Sequence, residues 1–210
     1  MLTKNINLKK FGIKNNFHQK KLNIKKLLKY YSSYELIKSL SNKYKYSFDK
    51  SKIKKYKNFI NYNIIGIGGS CLGIKAIYSF LRFKIKKKFI FFDKINFNNK
   101  TLNNKEKKLN LVISKSGNTL ETISNFNVLK DKKNNLFICE TSNNYLRKIA
   151  NKLKCEIIEH RNYIGGRYSV LSEVGMLPSI LMGLNESKFK NYNNLIKSDK
   201  FINGLVDSVV

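Results

Sequence analysis

From residue 63 onward, short runs of aliphatic and aromatic residues alternate with stretches in which apolar residues recur every three or four positions. Ile64-Ile65-Gly66-Ile67 reads as a buried strand, Gly68-Gly69-Ser70 as a glycine turn, and Leu72 to Phe83 as a helix with Ile74, Ile77, Tyr78 and Leu81 on one face. Phe89 to Phe92 gives a second strand and Leu111-Val112-Ile113 a third. The third runs into a helix on which Ile123, Phe126 and Leu129 follow Thr119 at helical spacing. Leu136 to Cys139, a helix from Tyr145 to Leu153 and the strand Ile157-Ile158 continue the alternation. Such alternation predicts an α/β fold, with a parallel sheet flanked by helices and ligands held at the carboxyl ends of the strands.

Before this region the chain is lysine-rich, with helical patches at Leu27-Leu28-Tyr31 and Leu36-Ile37-Leu40, and residues 1–58 read as an arm of helices and loops. His18 stands alone there and reads as a surface or packing residue. Residues 59–185 form the expected α/β domain. It ends on an apolar helix, Val174 to Leu184, interrupted only by Pro178. In residues 186–210, Ile202, Leu205, Val206 and Val209 repeat at helical spacing up to the last residue. With no capping glycine or polar tail after it, this face reads as a helix leading toward an absent second half.

Composition changes the picture little. In a chain of 210 residues, 42% hydrophobic and 12% aromatic content supports a folded core rather than disorder. The formal charge of +29 would ordinarily direct attention to nucleic acid or an anionic membrane. The excess is nearly all Lys and is spread through the chain, in company with abundant Asn, Ile, Tyr and Phe, as codon bias toward A/T would produce. Arg appears only at Arg82, Arg147, Arg161 and Arg167. No basic block is interleaved with stacking aromatics, so no nucleic-acid partner is expected. Cys71, Cys139 and Cys155 lie in or beside apolar runs without metal-ligand spacing, and read as free thiols in a reducing cytoplasm. No run approaches the length of a membrane span, and the start has no secretory h-region.

The candidate chemistry sits in three loops. Ser114, Lys115, Ser116, Gly117 and Thr119 lie between the third strand and its helix. A helix start offers unpaired N–H groups and about half a positive charge, so hydroxyls in front of it suit either ordinary capping or a dianionic phosphate. GIGGSCLG, Gly66 to Gly73, fails as a dinucleotide fingerprint because Cys71 stands at the third glycine. It fails as a phosphate-binding P-loop because Ile74 follows Gly73 where Lys is needed. It remains either a plain turn or a close backbone approach to a ligand. Gly165-Gly166-Arg167 lets the backbone take conformations closed to other residues and frees a guanidinium to meet phosphate or an oxyanion. Pairing of Arg167 with Glu173 or Glu121 is the alternative.

GIGGSCLG, SKSGNTLET at Ser114 to Thr122 and NYIGGRYSVLSEVGMLP at Asn162 to Pro178 stand in order, and together they resemble the phosphoglucose isomerase family over roughly Ile64 to Leu184. The resemblance implies a sugar isomerase (SIS) domain, a three-layer α/β sandwich. It also implies a metal-independent, cofactor-free enzyme that interconverts glucose 6-phosphate and fructose 6-phosphate in glycolysis and gluconeogenesis, a homodimer when complete. Carried over by motif, Ser114, Lys115, Ser116, Thr119 and Thr122 would hold the phosphate. Gly69 and Ser70 would contact the sugar, and Arg167 would stabilise the enediolate as a proton moves between C2 and C1. Glu173 stands where family members more often have a small residue.

Family members take a general-base glutamate, a ring-opening histidine and a lysine from a second SIS domain and a C-terminal helical region, and no segment here matches those motifs. Glu121, His160 and Glu173 therefore take none of those roles. Loss of a general base removes about 10²- to 10⁴-fold in rate, so a chain with only Arg167 and the phosphate cradle is expected to bind, or to turn over very slowly. The expectation is the N-terminal arm and first SIS domain of such an isomerase. A single-domain phosphosugar-binding or regulatory module without turnover is the alternative.

Overall fold

The computed structural model describes Lys26, Tyr30 and residues 33–95, 107–131 and 133–190. Leu27, Leu28, Tyr31, His18 and the apolar repeat Ile202 to Val209 lie outside the described residues. The chain divides into two compact units, Lys45–Glu186 and a smaller one made of Met1–Tyr44 with Ser187–Val210. In the smaller unit a short helix α1 (Glu35–Ser39) covers the Leu36-Ile37-Leu40 patch. Lys190 donates to the Ser39 carbonyl at 2.9 Å and lies over the Tyr44 ring at 4.4 Å.

The larger unit begins with α2 (Lys50–Ile53), whose first turn is capped by Asp49 accepting from the Ser51 N–H at 2.8 Å. Five strands follow: β1 (Asn61–Ile65), β2 (Lys88–Phe92), β3 (Lys108–Ile113), β4 (Asn135–Cys139) and β5 (Glu156–Glu159). Between and after them come α3 (Leu72–Phe80), α4 (Leu120–Leu129), α5 (Tyr145–Lys152) and α6 (Glu173–Leu181). All pairings are parallel, in the order β2-β1-β3-β4-β5. The order reverses at β1 and β3, so the loops leaving these two strands open the crevice where ligands of such sheets bind.

Period-two alternation divides the apolar residues of each strand between two cores. Ile64, Leu111, Ile113, Leu136 and Ile138 face a core closed by Ile74 of α3 and by Val174, Leu177 and Leu181 of α6. Ile65, Val112 and Phe137 face the opposite core with Phe126 of α4 and Leu146 and Ala150 of α5. Both faces are covered, which gives the three layers of an α/β sandwich and explains why the strands read as continuous hydrophobic runs. Two expectations of continuity need correction. The first strand ends at Ile65, leaving Gly66 and Ile67 in the loop, and α6 is not interrupted at Pro178, whose carbonyl accepts from the Met182 N–H at 2.8 Å.

A buried amide ladder pins the register of the three central strands. Asn63 donates to the side chain of Asn110 at 2.8 Å, and Asn110 donates to that of Asn135 at 3.0 Å and to the Leu129 carbonyl at 2.8 Å. These residues are cross-strand partners and all are buried. Asn110→Ala strands the donor of Asn63 and the Leu129 carbonyl, and leaves Asn135 Oδ1 only a long bond from the Asp131 N–H. It is expected to cost about 2 kcal/mol in urea unfolding, and a cost under about 0.5 kcal/mol would show that the ladder contributes nothing.

Candidate functional site

The three motifs meet at the carboxyl edge of the sheet. Gly66 leaves β1 so close to β3 that a Cβ there would lie 2.8 Å from the Ile113 carbonyl oxygen. Gly68 follows at φ +56°, and Gly68–Ser70 form one 3₁₀ turn. Ser114 leaves β3 with its N–H on the Ile138 carbonyl at 3.1 Å. Gly117, at φ +65°, turns the loop back, its N–H on the Ser114 carbonyl at 3.2 Å and its own carbonyl accepting from Leu146 at 3.0 Å. Positive φ suits glycine at both places.

The hydroxyls of this loop serve different ends. Ser114 is buried and its Oγ is bonded to Thr119 Oγ1 at 2.8 Å. Thr119 occupies the cap position of α4 in extended conformation, yet its side chain makes no capping hydrogen bond. By contrast, Asn144 caps α5 through the Arg147 N–H at 2.9 Å, and Ser172 caps α6 through the Val174 N–H at 3.4 Å. Ordinary capping therefore does not account for Thr119, and the α4 N-terminus keeps its positive end without a side-chain oxygen on it. Ser116 is exposed, with Oγ accepting, among the described residues, only from Asn118 N–H at 3.3 Å. Thr122 is wholly buried one turn into α4, its hydroxyl unpartnered among the described residues.

Lys115 is committed elsewhere. Its ammonium donates to the Asn162 carbonyl at 2.7 Å and pairs with Glu140 at 3.4 Å. The Lys115 side chain thus ties the β3 loop to the loop after β5, the one that carries Arg167. That second loop continues as the 3₁₀ segment Gly166–Leu171, which packs on the Gly68–Ser70 turn. A Cβ on Gly69 would overlap the Gly166 carbonyl and lie 2.9 Å from the Arg167 nitrogen. Gly73 and Gly175 make the same kind of room for Val170. Ser169 Oγ fastens the contact, donating to the carbonyls of Gly166 at 2.7 Å and Gly69 at 3.4 Å. Ser70 is buried at the end of the turn.

One part of the sequence reading is overturned here. Gly165 sits at φ −63° and Gly166 is not at positive φ, so neither uses a conformation reserved for glycine; the need for a missing side chain lies at Gly69. Arg167 itself is exposed, with no hydrogen-bond or ion-pair partner among the described residues, and pairs with neither Glu121 nor Glu173. Glu173 is fully buried and accepts from the Ser47 N–H at 2.8 Å.

His160 lies at the end of β5, buried, with Nδ1 3.1 Å from the Arg161 carbonyl and Nε2 unpartnered among the described residues. Burial holds its imidazole below the ordinary value of 6.5. Lys115 adds to the effect, and the hydrogen bond to Arg161 and the charges of Glu173 and Glu140 oppose it. A pKa lowered in the folded state means that the unfolded chain takes up the proton first. Stability is fully present above about pH 6.5 and falls as pH drops below it. His160→Gln is expected to flatten that slope in denaturant titrations between about pH 7.5 and 5; an unchanged slope would place the proton uptake elsewhere.

The deep Cys71 thiol is pushed up to about 12 by burial and then by Asp93, so it is neutral and inert. Among the described residues no three His, Cys, Asp or Glu side chains converge as metal ligands, and no helix is long and apolar enough to cross a membrane.

The comparisons with known proteins point one way. The family profile for phosphoglucose isomerase matches residues 31–204. A probable glucose-6-phosphate isomerase of Methanococcus maripaludis is 41% identical over 140 residues, 58% of this chain and 32% of that protein. The glucose-6-phosphate isomerase of Aster yellows witches'-broom phytoplasma is 32% identical over 184 residues, 72% of this chain and 43% of its own length. The chain thus spans less than half the length of these curated relatives. Among solved structures, a hypothetical protein from Thermus thermophilus superposes with a TM-score of 0.71 at 18% identity, over 92% of this chain and 53% of that one. A glucose-6-phosphate isomerase from Chlamydia trachomatis superposes at 0.55 with 23% identity, over 75% of this chain and 32% of that one.

Proposed function

Since the chain belongs to the phosphoglucose isomerase family, we propose that its carboxyl-edge crevice is the phosphosugar half of a glucose-6-phosphate isomerase site. The observation that carries this reading is the α4 N-terminus: its cap-position hydroxyl is turned away to Ser114 and its first turn has no side-chain cap. A phosphate seated there accepts from the first-turn N–H groups and from the hydroxyls of Ser116 and Thr119, and the helix dipole favours its charge. Ser114 holds Thr119 in place. Thr122 stands behind the cradle as a buried hydroxyl, and Lys115 orients the two loops through Asn162 and Glu140.

With the phosphate anchored, the sugar extends toward the turn at Gly69 and Ser70 and toward Arg167. When a proton leaves C2 of glucose 6-phosphate for C1, negative charge develops on the enediolate oxygens. An unpaired guanidinium held beside those oxygens stabilises that charge more than it stabilises the neutral carbonyl, which is the difference that accelerates the step. The proton itself requires a general base that the matched motifs do not include. Turnover accordingly belongs to a complete, cytoplasmic, dimeric enzyme, and this chain supplies binding and charge stabilisation.

Arg167→Ala tests the role. Its exposure and lack of partners predict a stability change within about 0.5 kcal/mol. Affinity for a hydroxamate analogue of the enediolate is expected to fall about 10²-fold, with a much smaller loss for fructose 6-phosphate. Equal losses for both ligands would make Arg167 a general binding residue, and no loss for either would remove it from the site.

A further inference from the structure

The opposite edge of the sheet carries a second concavity, independent of the phosphosugar reading. Because every strand is parallel, the amino ends share that edge, and Asn61 of β1 lies in register between Lys88 of β2 and Lys108 of β3. The turn Lys54–Asn58 and the segment before β2 border a cavity of about 680 Å³, lined by Lys55, Lys86, Lys88 and Lys107 with the amides of Asn58 and Asn61. Among the described residues no carboxylate lines it. Lysines that look evenly spread along the sequence are here gathered from three separate segments.

Their charges are incompletely answered. Lys55 pairs with Glu156 at 2.9 Å and Lys107 lies over the Phe59 ring at 5.3 Å, while the ammonium groups of Lys86 and Lys88 have no partner among the described residues. Between them, Lys87 donates to the Lys57 carbonyl at 2.6 Å and the Tyr62 hydroxyl at 3.0 Å. Burial holds the Lys87 ammonium below its ordinary range, and the charge of Lys57 adds like-charge repulsion to it. A polyanion relieves that repulsion and gains charge-assisted hydrogen bonds. Size and charge select among anions. Lys88 of β2 and Lys107, the residue before β3, stand on either side of β1 with backbones about 10 Å apart, and with Lys55 and Lys86 they present more positive charge than one phosphate neutralises, which a short chain of phosphates can answer. The volume lies within the range of about 300–1,000 Å³ usual for small-ligand sites.

We propose that this lysine-lined cavity at the amino edge of the sheet binds a small polyphosphate anion, the triphosphate group of a free nucleotide or of inorganic tripolyphosphate. Calorimetric titration with tripolyphosphate, ATP and inorganic phosphate separates the sources. Both triphosphates are expected to bind saturably and at least about tenfold more tightly than phosphate. Equal affinities assign recognition to the phosphate chain alone, and tighter binding of ATP adds a nucleoside contact. The double variant Lys86→Ala, Lys88→Ala, whose exposed side chains leave the core intact, is expected to weaken both about tenfold, and Ser116→Ala to change neither. Insensitivity to the double variant would overturn the proposal in favour of diffuse attraction by the whole charged chain. Loss of binding with Ser116→Ala would overturn it in favour of the carboxyl-edge cradle, and binding of single-stranded oligonucleotides without triphosphate binding would overturn it in favour of nucleic acid.

Discussion

Gly69→Ala is expected to lower stability by about 3 kcal/mol or more, whereas Gly166→Ala, on the other side of the same contact, is expected to leave it unchanged or raise it by up to about 1 kcal/mol. The asymmetry is geometric. A methyl group on Gly69 meets the Gly166 carbonyl and the Arg167 nitrogen, backbone atoms that cannot swing aside as a side chain would. A methyl group on Gly166 meets nothing within 4 Å. Nor can the Gly166–Leu171 segment retreat as a body. Ser169 anchors it to the Gly69 carbonyl, and Val170 is wedged against Gly73 and Gly175, where an added Cβ would overlap the Val170 carbonyl. Urea unfolding of the two single variants decides the matter. Equal costs would mean that the segment is free to shift and that the contact does not position Arg167.

The double variant Ser116→Ala, Thr119→Val is expected to lose about 100-fold in affinity for fructose 6-phosphate, while unfolding free energy falls by no more than about 2 kcal/mol, the cost of leaving the buried Ser114 hydroxyl without Thr119. Two hydroxyls donating to a dianion are each worth about 1.5 kcal/mol or more, whereas in the free protein Ser116 Oγ accepts only a long bond from Asn118 N–H and Thr119 is bonded to Ser114. Affinity and stability are therefore separable at these positions. A loss of affinity under threefold would contradict phosphate contact by these hydroxyls, whatever happened to stability.

Much of this architecture was legible in the residues. The runs Ile64-Ile65, Leu111 to Ile113 and Leu136 to Cys139 are apolar without interruption because helices cover both faces, and each proved to lie in a strand. The helical spacing of Ile123, Phe126 and Leu129 correctly located α4. The three motif loops could be picked out because short polar and glycine residues follow Ile64-Ile65, Leu111 to Ile113 and the strand run Ile157-Ile158. What remained hidden depended on partners distant in sequence. Asn63, Asn110 and Asn135 look like polar interruptions, and only the sheet order, which places β1, β3 and β4 side by side, makes them a ladder. Lys115 reads from its motif as a phosphate ligand, whereas its bonds to Asn162 and Glu140 rest on loops distant in sequence. The glycines before Arg167 read as conformational devices, whereas the close approach is imposed on Gly69 from across the site.

The most direct test of the central claim is thermal unfolding of this chain during parallel titrations with fructose 6-phosphate and fructose, repeated with Ser116→Ala, Thr119→Val. The α4 cradle predicts saturable stabilisation by the phosphorylated sugar, none by fructose at the same concentrations, and loss of the effect in the double variant. Equal stabilisation by both sugars, or stabilisation that survives the double variant, would contradict a phosphate site at the loop between Ser114 and Thr119.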